Sequence, residues 1–140
     1  MGVAPISLNV LLDTAKGTKL TDFRTSRTVD EDMTMTNAVL TYQWMAPEVI
    51  LGTKYSFPAD IYSFGIILSE ICTHVLPYAR LSQRGSGWLT RQCILNQVSN
   101  GELYPSFDGD NIPTWVKDIA MQCLRLNDKE RPTTFELVVC

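Results

Sequence analysis

Two polar side chains near the start of the chain, Asn9 and Asp22, are spaced so that they could hold a metal ion together. Short strand candidates occupy 10–12 and 18–21, and the loop 13–17 between them has hairpin length and contains a glycine. An antiparallel pair of these strands brings Asn9 and Asp22 side by side. Amide and carboxylate oxygens are ligands that suit Mg²⁺. As plain strand-end turn residues they would need no ligand, and the chain taken alone favours that simpler interpretation.

The cysteines and the single histidine do not form a metal-binding pattern. Cys72, Cys93, Cys123 and Cys140 lie far apart, no C-x-x-C pair occurs, and His74 is the only histidine in the chain. Structural zinc sites usually combine closely spaced Cys or His ligands. We therefore expect four reduced thiols, most of them buried.

Helices are expected to position these groups and to make up most of the chain. Ala46-Pro47-Glu48 followed by 49–52 predicts a short helix, because proline and glutamate suit a first turn and Gly52 suits the end. The segment 58–73 predicts a longer helix that is apolar around its whole circumference and therefore packed on every face. Further helices are expected at 89–100, at 113–124 with Trp115 on its core face, and from 134 to 140.

Composition and charge exclude several kinds of partner. The formal net charge is −3 and the basic residues are scattered, which argues against nucleic acid and against an acidic membrane surface. No apolar run reaches transmembrane length, and the start of the chain lacks a signal-peptide pattern. With 140 residues the chain is long enough for one domain with a modest core. We expect an intracellular, cytoplasmic protein.

Four short motifs appear in a fixed order along the chain. They are Asp22-Phe23, Ala46-Pro47-Glu48, Asp60-Ile61-Tyr62-Ser63-Phe64-Gly65 and Arg131-Pro132. From about Ser7 onward this series resembles the C-terminal lobe of the protein kinase superfamily. The Thr41–Met45 context resembles serine/threonine kinases of the tyrosine-kinase-like group. An unrelated interaction module would need all four motifs to match in order by accident.

The resemblance implies a fold and a division of the chain. The fold is mostly α with a small β-hairpin, as in a kinase C-terminal lobe, with the N-lobe and the upstream helices lying before Met1. A partial kinase domain then covers residues 1–140. It has a catalytic-loop remnant and hairpin at 1–22, an activation segment at 22–48 and a helical subdomain at 49–140.

The same resemblance implies ligands for a nucleotide. In the family, an Asp after a strand and an Asn of the catalytic loop hold Mg²⁺ ions that bridge the phosphates of ATP. Asp22 and Asn9 stand at those two positions. The polar, threonine-rich stretch 24–40 is the activation loop on this interpretation, and Thr34 and Thr36 are candidate phosphorylation sites. A plain solvated connector is the alternative for that stretch.

Other matched residues have structural or docking roles in the family. Glu48 and Arg131 match a buried ion pair that ties the Ala-Pro-Glu helix to the lower part of the lobe. Asp60 matches the residue that holds the backbone of the catalytic loop, although a first-turn charge favoured by the helix dipole is the alternative. The substrate-docking loop is implied at Thr41, Tyr42 and Trp44.

The catalytic signature of the family is missing. Counted back from Asn9, the His-Arg-Asp motif should occupy residues 2–4, but Ala4 stands at the catalytic Asp position and Ile6 at the catalytic Lys position. Loss of a general base alone slows a reaction by roughly 10²–10⁴-fold. The glycine-rich loop and the strand lysine are absent as well, and Arg24 replaces the glycine that usually follows Asp-Phe. A cation beside Asp22 argues against an ordinary magnesium site.

The sequence therefore predicts a truncated kinase-like domain that is catalytically inactive alone, a pseudokinase or fragment with a protein-docking role. The alternative is part of an active, ATP-dependent serine/threonine protein kinase whose upstream sequence is missing from this chain. The expected partner is another protein or the missing N-lobe. On this interpretation the elements that normally cover part of the 58–73 helix lie upstream of Met1, so apolar surface of that helix should be exposed. We therefore expect the isolated chain to associate.

Overall fold

The computed structural model describes residues 10–15, 17–20, 42–53, 56–79, 90–109 and 111–139. Within these ranges two strands precede five helices: β1 Val10–Asp13, β2 Gly17–Leu20, α1 Pro47–Ile50, α2 Phe57–Thr73, α3 Arg91–Ser99, α4 Thr114–Cys123 and α5 Thr134–Val139. Single turns of 3₁₀ helix lie at Tyr42–Trp44 and Asp128–Glu130. The expectation of a mostly helical chain with one small hairpin is confirmed. No helix of the described part is long and apolar enough to cross a membrane.

The hairpin is antiparallel, with Val10 opposite Leu20 and Asp13 opposite Gly17. Its tight turn depends on Gly17, whose φ is +75°, and on the Asp13 carboxylate, which accepts a 2.8 Å hydrogen bond from the backbone N–H of Ala15. The second strand begins one residue earlier than predicted, because Gly17 already pairs with Asp13.

The long helix α2 has the bounds that its sequence predicts to within one residue. Pro58 lies in its first turn, where a missing N–H costs no hydrogen bond. His74 ends the helix in a left-handed conformation, with φ at +52°, and its N–H donates to the carbonyl of Glu70 at 2.8 Å.

One side of α2 faces the core and another side does not. Ile66 and Ile67 are buried, whereas Phe64 is 39% exposed and Ile71 is 58% exposed. The prediction that α2 packs on every face is therefore wrong along the Phe64–Ile71 side. The separate expectation that part of the surface of this helix is exposed agrees with the exposure of these two side chains.

Helix α2 packs closely against the end of α4 at Gly65. A Cβ at Gly65 would lie 3.0 Å from Cys123 Cβ and 3.0 Å from Leu124 Cγ, so glycine is what allows the two helices to approach this closely. Around this contact lies a single core cluster whose main members are Trp44, Tyr62, Ile66, Ile94, Val98 and Leu124.

The first turn of α4 lies outside the core, which corrects the prediction for Trp115. Ala120 and Cys123 are fully buried at the end of α4, but Trp115 is 63% exposed near its start. Trp115 instead borders an open apolar groove of about 520 Å³ between α2, α4 and α5, whose other walls include Phe64, Leu68, Ile71, Ile119 and Leu137.

The shorter helices α3 and α5 both begin with side-chain caps. Thr90 Oγ1 accepts a hydrogen bond from Cys93 N at 3.3 Å at the start of α3, and the helix stops before Gly101. At α5, Thr133 and Glu136 form a capping box in which the Glu136 carboxylate accepts from both the N–H (2.7 Å) and the hydroxyl (2.8 Å) of Thr133.

Candidate functional site

The ion pair expected from the sequence is present, and it is bidentate. Arg131 Nη1 lies 2.7 Å from Glu48 Oε1, and Arg131 Nη2 lies 2.7 Å from Glu48 Oε2. The Arg131 side chain is completely buried and that of Glu48 is 17% exposed. Paired parallel bonds of this length are the strong form of an arginine–carboxylate contact.

The remaining donors of Arg131 bind three backbone carbonyls from two segments of the chain. Nη1 also donates to Pro58 O (2.9 Å), Nε donates to Arg125 O (2.8 Å), and Nη2 also donates to Leu126 O (3.3 Å). A guanidinium has five N–H donors, so each of them has an acceptor. Arg131 thereby ties α1, the start of α2 and the segment before α5 into one frame.

The aromatic ring of Tyr62 packs against the guanidinium of Arg131. The guanidinium carbon of Arg131 lies 5.0 Å from the centre of the Tyr62 ring, a cation–π distance. Burial raises the pKa of Tyr62, so its hydroxyl stays protonated over the whole range in which proteins are stable. The cluster connects and supports the neighbouring segments.

A hydrogen bond from Ser63 holds the 3₁₀ turn Tyr42–Trp44 to helix α2. The Ser63 hydroxyl, itself buried, donates to the carbonyl of Trp44 at 2.7 Å, and Gln43 Nε2 donates to Pro77 O at 3.2 Å. The Trp44 indole is only 3% exposed and lies in the core. Sequence reasoning missed the role of Ser63, although its position within the Asp60–Gly65 motif was a signal that it has a specific partner.

The outer end of the same turn contacts helix α3. The guanidinium carbon of Arg91 lies 5.3 Å from the centre of the Tyr42 ring. Both side chains are half-buried. No sequence pattern indicated this contact, because Tyr42 and Arg91 belong to different elements.

Of the three residues assigned to substrate docking, two are described. Tyr42 is partly accessible at the surface, whereas Trp44 faces inward and supports the turn from the core side. Thr41 lies outside the described residues. The docking role of this segment stays a prediction.

The other predicted site residues fall mostly outside the described ranges. These are Ala4, Asn9, Asp22, Thr34 and Thr36. Asp60 is described and lies half-buried in the first turn of α2. Its expected partner, the catalytic-loop backbone, is again outside those ranges, so the metal, phosphorylation and loop-holding roles stay predictions.

The described residues include no group of three or more His, Cys, Asp or Glu side chains that could hold a metal ion. Cys72, Cys93 and Cys123 are free thiols. Burial raises the pKa of Cys123 to about 11, which keeps this thiol protonated and unreactive. Cys72 and Cys93 are only half-buried, so the expectation of mostly buried thiols holds for one of these three.

Comparisons with known proteins agree with the family resemblance that the order of the motifs indicated. Protein kinase domains match the chain over residues 7–139. The chain is 33% identical over 131 residues to a dual specificity protein kinase of Dictyostelium discoideum, an alignment that covers 93% of the chain and 16% of that protein.

Two further relatives give similar values. A serine/threonine-protein kinase of Arabidopsis thaliana is 32% identical over 130 residues, covering 93% of the chain and 21% of the relative. A putative mitogen-activated protein kinase kinase kinase 7-like protein of Drosophila melanogaster is 32% identical over 120 residues, covering 85% of the chain and 29% of the relative. The chain thus spans less than a third of the length of each of these three relatives.

Proposed function

The chain belongs to the protein kinase domain family, and on that premise we propose that it is a non-catalytic docking scaffold derived from a serine/threonine kinase C-terminal lobe. It presents the turn Tyr42–Trp44, called the docking turn from here on, to a protein partner. The observation that carries the proposal is the bidentate Arg131–Glu48 pair. Glu48 lies in α1, directly after the docking turn, so the pair holds the base of that turn in place.

The proposal that the scaffold is non-catalytic is supported by the residues at the family's catalytic positions. Relatives named serine/threonine-protein kinases transfer phosphate to protein hydroxyls, a reaction that depends on positioning and charge neutralisation. This chain has Ala4 where the base is expected and Ile6 where the charge-neutralising lysine is expected. Neither side chain can accept a proton or neutralise a phosphate.

ATP and Mg²⁺ are the ligands that the family would bring to this chain. Asn9 and Asp22 would hold the metal, and their amide and carboxylate oxygens have the right donor chemistry. In the observed register Val10 pairs with Leu20, so Asn9 stands one residue before the paired strands and Asp22 two residues after them. When bound, the metal would neutralise phosphate charge. Arg24 stands two residues beyond Asp22, and a long cation at that position would compete with the metal for the carboxylate.

The test is a paired measurement of peptide retention and phosphate transfer. The purified chain is immobilised and exposed to a degenerate serine/threonine peptide library with Mg²⁺ and ATP. We expect retention of a subset of peptides without phosphate transfer, and we expect Tyr42→Ala to reduce that retention. Trp115→Ala, an exposed aromatic in the groove between α2 and α4, is the matched control. Equal retention by the Tyr42→Ala variant would rule out the docking role.

A second candidate is that the chain is part of an active ATP-dependent kinase. The observation that favours it is the short span of the chain relative to its kinase relatives. A thermal-shift assay with and without Mg²⁺ and ATP separates the two candidates, using Asp22→Ala as the control. A nucleotide-dependent rise in Tm that the variant loses, together with phosphate transfer above background, would favour the second candidate.

A further inference from the structure

The docking turn is held at three points among the described residues, and each point belongs to a different element. Ser63 of α2 binds the Trp44 carbonyl, Gln43 binds the carbonyl of Pro77, and Arg91 of α3 lies over the Tyr42 ring. The turn itself is closed by a hydrogen bond from the N–H of Met45 to the carbonyl of Tyr42 at 3.3 Å.

These contacts differ in how they depend on the core. Trp44 and Ser63 are 3% and 2% exposed, so their hydrogen bond is lost only when the core opens. Tyr42 and Arg91 are both half-buried, and Tyr42 packs against the outside of the core cluster. Their contact can therefore break while α2 and the core stay intact.

Helix α3 gives Arg91 a fixed position from which to act. The helix is capped by Thr90 and anchored by Ile94 and Val98, which are 3% and 4% exposed in the same core cluster as Trp44. Arg91 is the first residue of this anchored helix. Its guanidinium is thus attached to a capped helix that is anchored in the core.

We propose that Arg91 is a positioning residue for the docking turn, acting through Tyr42. With the guanidinium over the ring, the turn stays closed and its Met45 hydrogen bond is protected. Loss of the guanidinium increases the population of the open turn by roughly 2- to 30-fold, the range that measured cation–π contacts span. The effect of Arg91 on closure of the turn does not depend on the proposed function. Only the consequence of that closure for peptide docking rests on the proposed function.

Hydrogen exchange of the full-length chain tests the proposal, with the Met45 amide as reporter. We expect Arg91→Met to accelerate exchange at Met45 by roughly 2- to 30-fold and Arg91→Lys to restore most of the protection. The Ile66 amide, inside α2, should exchange as in the unmodified chain. Lys117→Met, on the exposed side of α4, is the matched control for removing a cation.

A purely structural role for Arg91 predicts a different result. A cation at the start of a helix opposes the helix dipole, so replacing it with Met should leave α3 as stable as before or slightly more stable. Equal Met45 exchange in both chains would overturn the proposal. So would exchange that rises equally at Met45 and Ile66, or an Arg91→Lys variant that behaves like Arg91→Met.

The same variants separate this inference from the docking proposal. If Met45 exchange responds to Arg91→Met and retention of the peptide library falls with it, both are supported. If exchange responds but no peptide is retained by any variant, Arg91 still positions the turn and the docking function is wrong.

Discussion

Replacing Glu48 with glutamine removes one negative charge from the Arg131 site and changes the side-chain volume very little. The substitution leaves a completely buried guanidinium without its counter-charge. Breaking one side of a buried ion pair typically costs about 3–5 kcal/mol. Arg131 keeps its three bonds to the carbonyls of Pro58, Arg125 and Leu126. We therefore expect a loss near the lower end of that range, about 3 kcal/mol, and a Tm about 10 °C lower.

Urea denaturation followed by circular dichroism measures this loss as a change in the free energy of unfolding. Glu130→Gln is the matched control, because Glu130 is exposed and its carboxylate accepts a 3.0 Å hydrogen bond from Asn127 Nδ2, a neighbour in the same turn. We expect the control to cost less than about 0.5 kcal/mol. A double-mutant cycle with Arg131→Met isolates the coupling between the two side chains. A Glu48→Gln loss below about 1 kcal/mol would refute the view that this pair holds the frame together.

Three further outcomes are expected. Ser63→Ala should cost about 1–3 kcal/mol, because it leaves a buried carbonyl without its donor, and urea denaturation measures it. Gly65→Ala should cost about 1 kcal/mol net in the same assay, since overpacking against α4 exceeds the gain in helix propensity. Hydrogen bonds from the N–H and then the hydroxyl of Thr133 hold the pKa of Glu136 below its usual value. The capping box should therefore stabilise α5 fully above about pH 4.3, the unfolded pKa, and lose that effect as pH falls through the folded pKa. The protection factor of the Thr133 amide, the ratio of the intrinsic exchange rate to the observed rate at the same pH, should fall in acid, and Glu136→Gln should abolish that pH dependence.

Local chemistry predicted the ends of the helices well. Pro58 indicates the start of α2, and Gly101 indicates the stop after α3, because each acts on the backbone within one turn. The placement of Trp115 was wrong for a physical reason. Periodicity predicts which side of a helix is apolar, but it does not predict how far along that side the neighbouring helix extends.

Contacts between distant residues were predictable only by resemblance or not at all. Glu48 and Arg131 are 83 positions apart, and no local pattern links them, so only the order of the family's motifs indicated the pair. The Tyr42–Arg91 contact had no such precedent in the sequence. It depends on how α3 packs beside the docking turn, which is a property of the tertiary fold.

The Arg131 network also has a consequence during synthesis. Glu48 is made 83 residues before its partner, so α1 has no counter-charge for roughly 4–17 s at a ribosomal rate of 5–20 residues per second. Throughout that interval the ion pair cannot form, and the carbonyl of Pro58 also lacks its Arg131 donor. The contacts that join α1, the start of α2 and residues 125–131 can therefore form only after Arg131 has been synthesised.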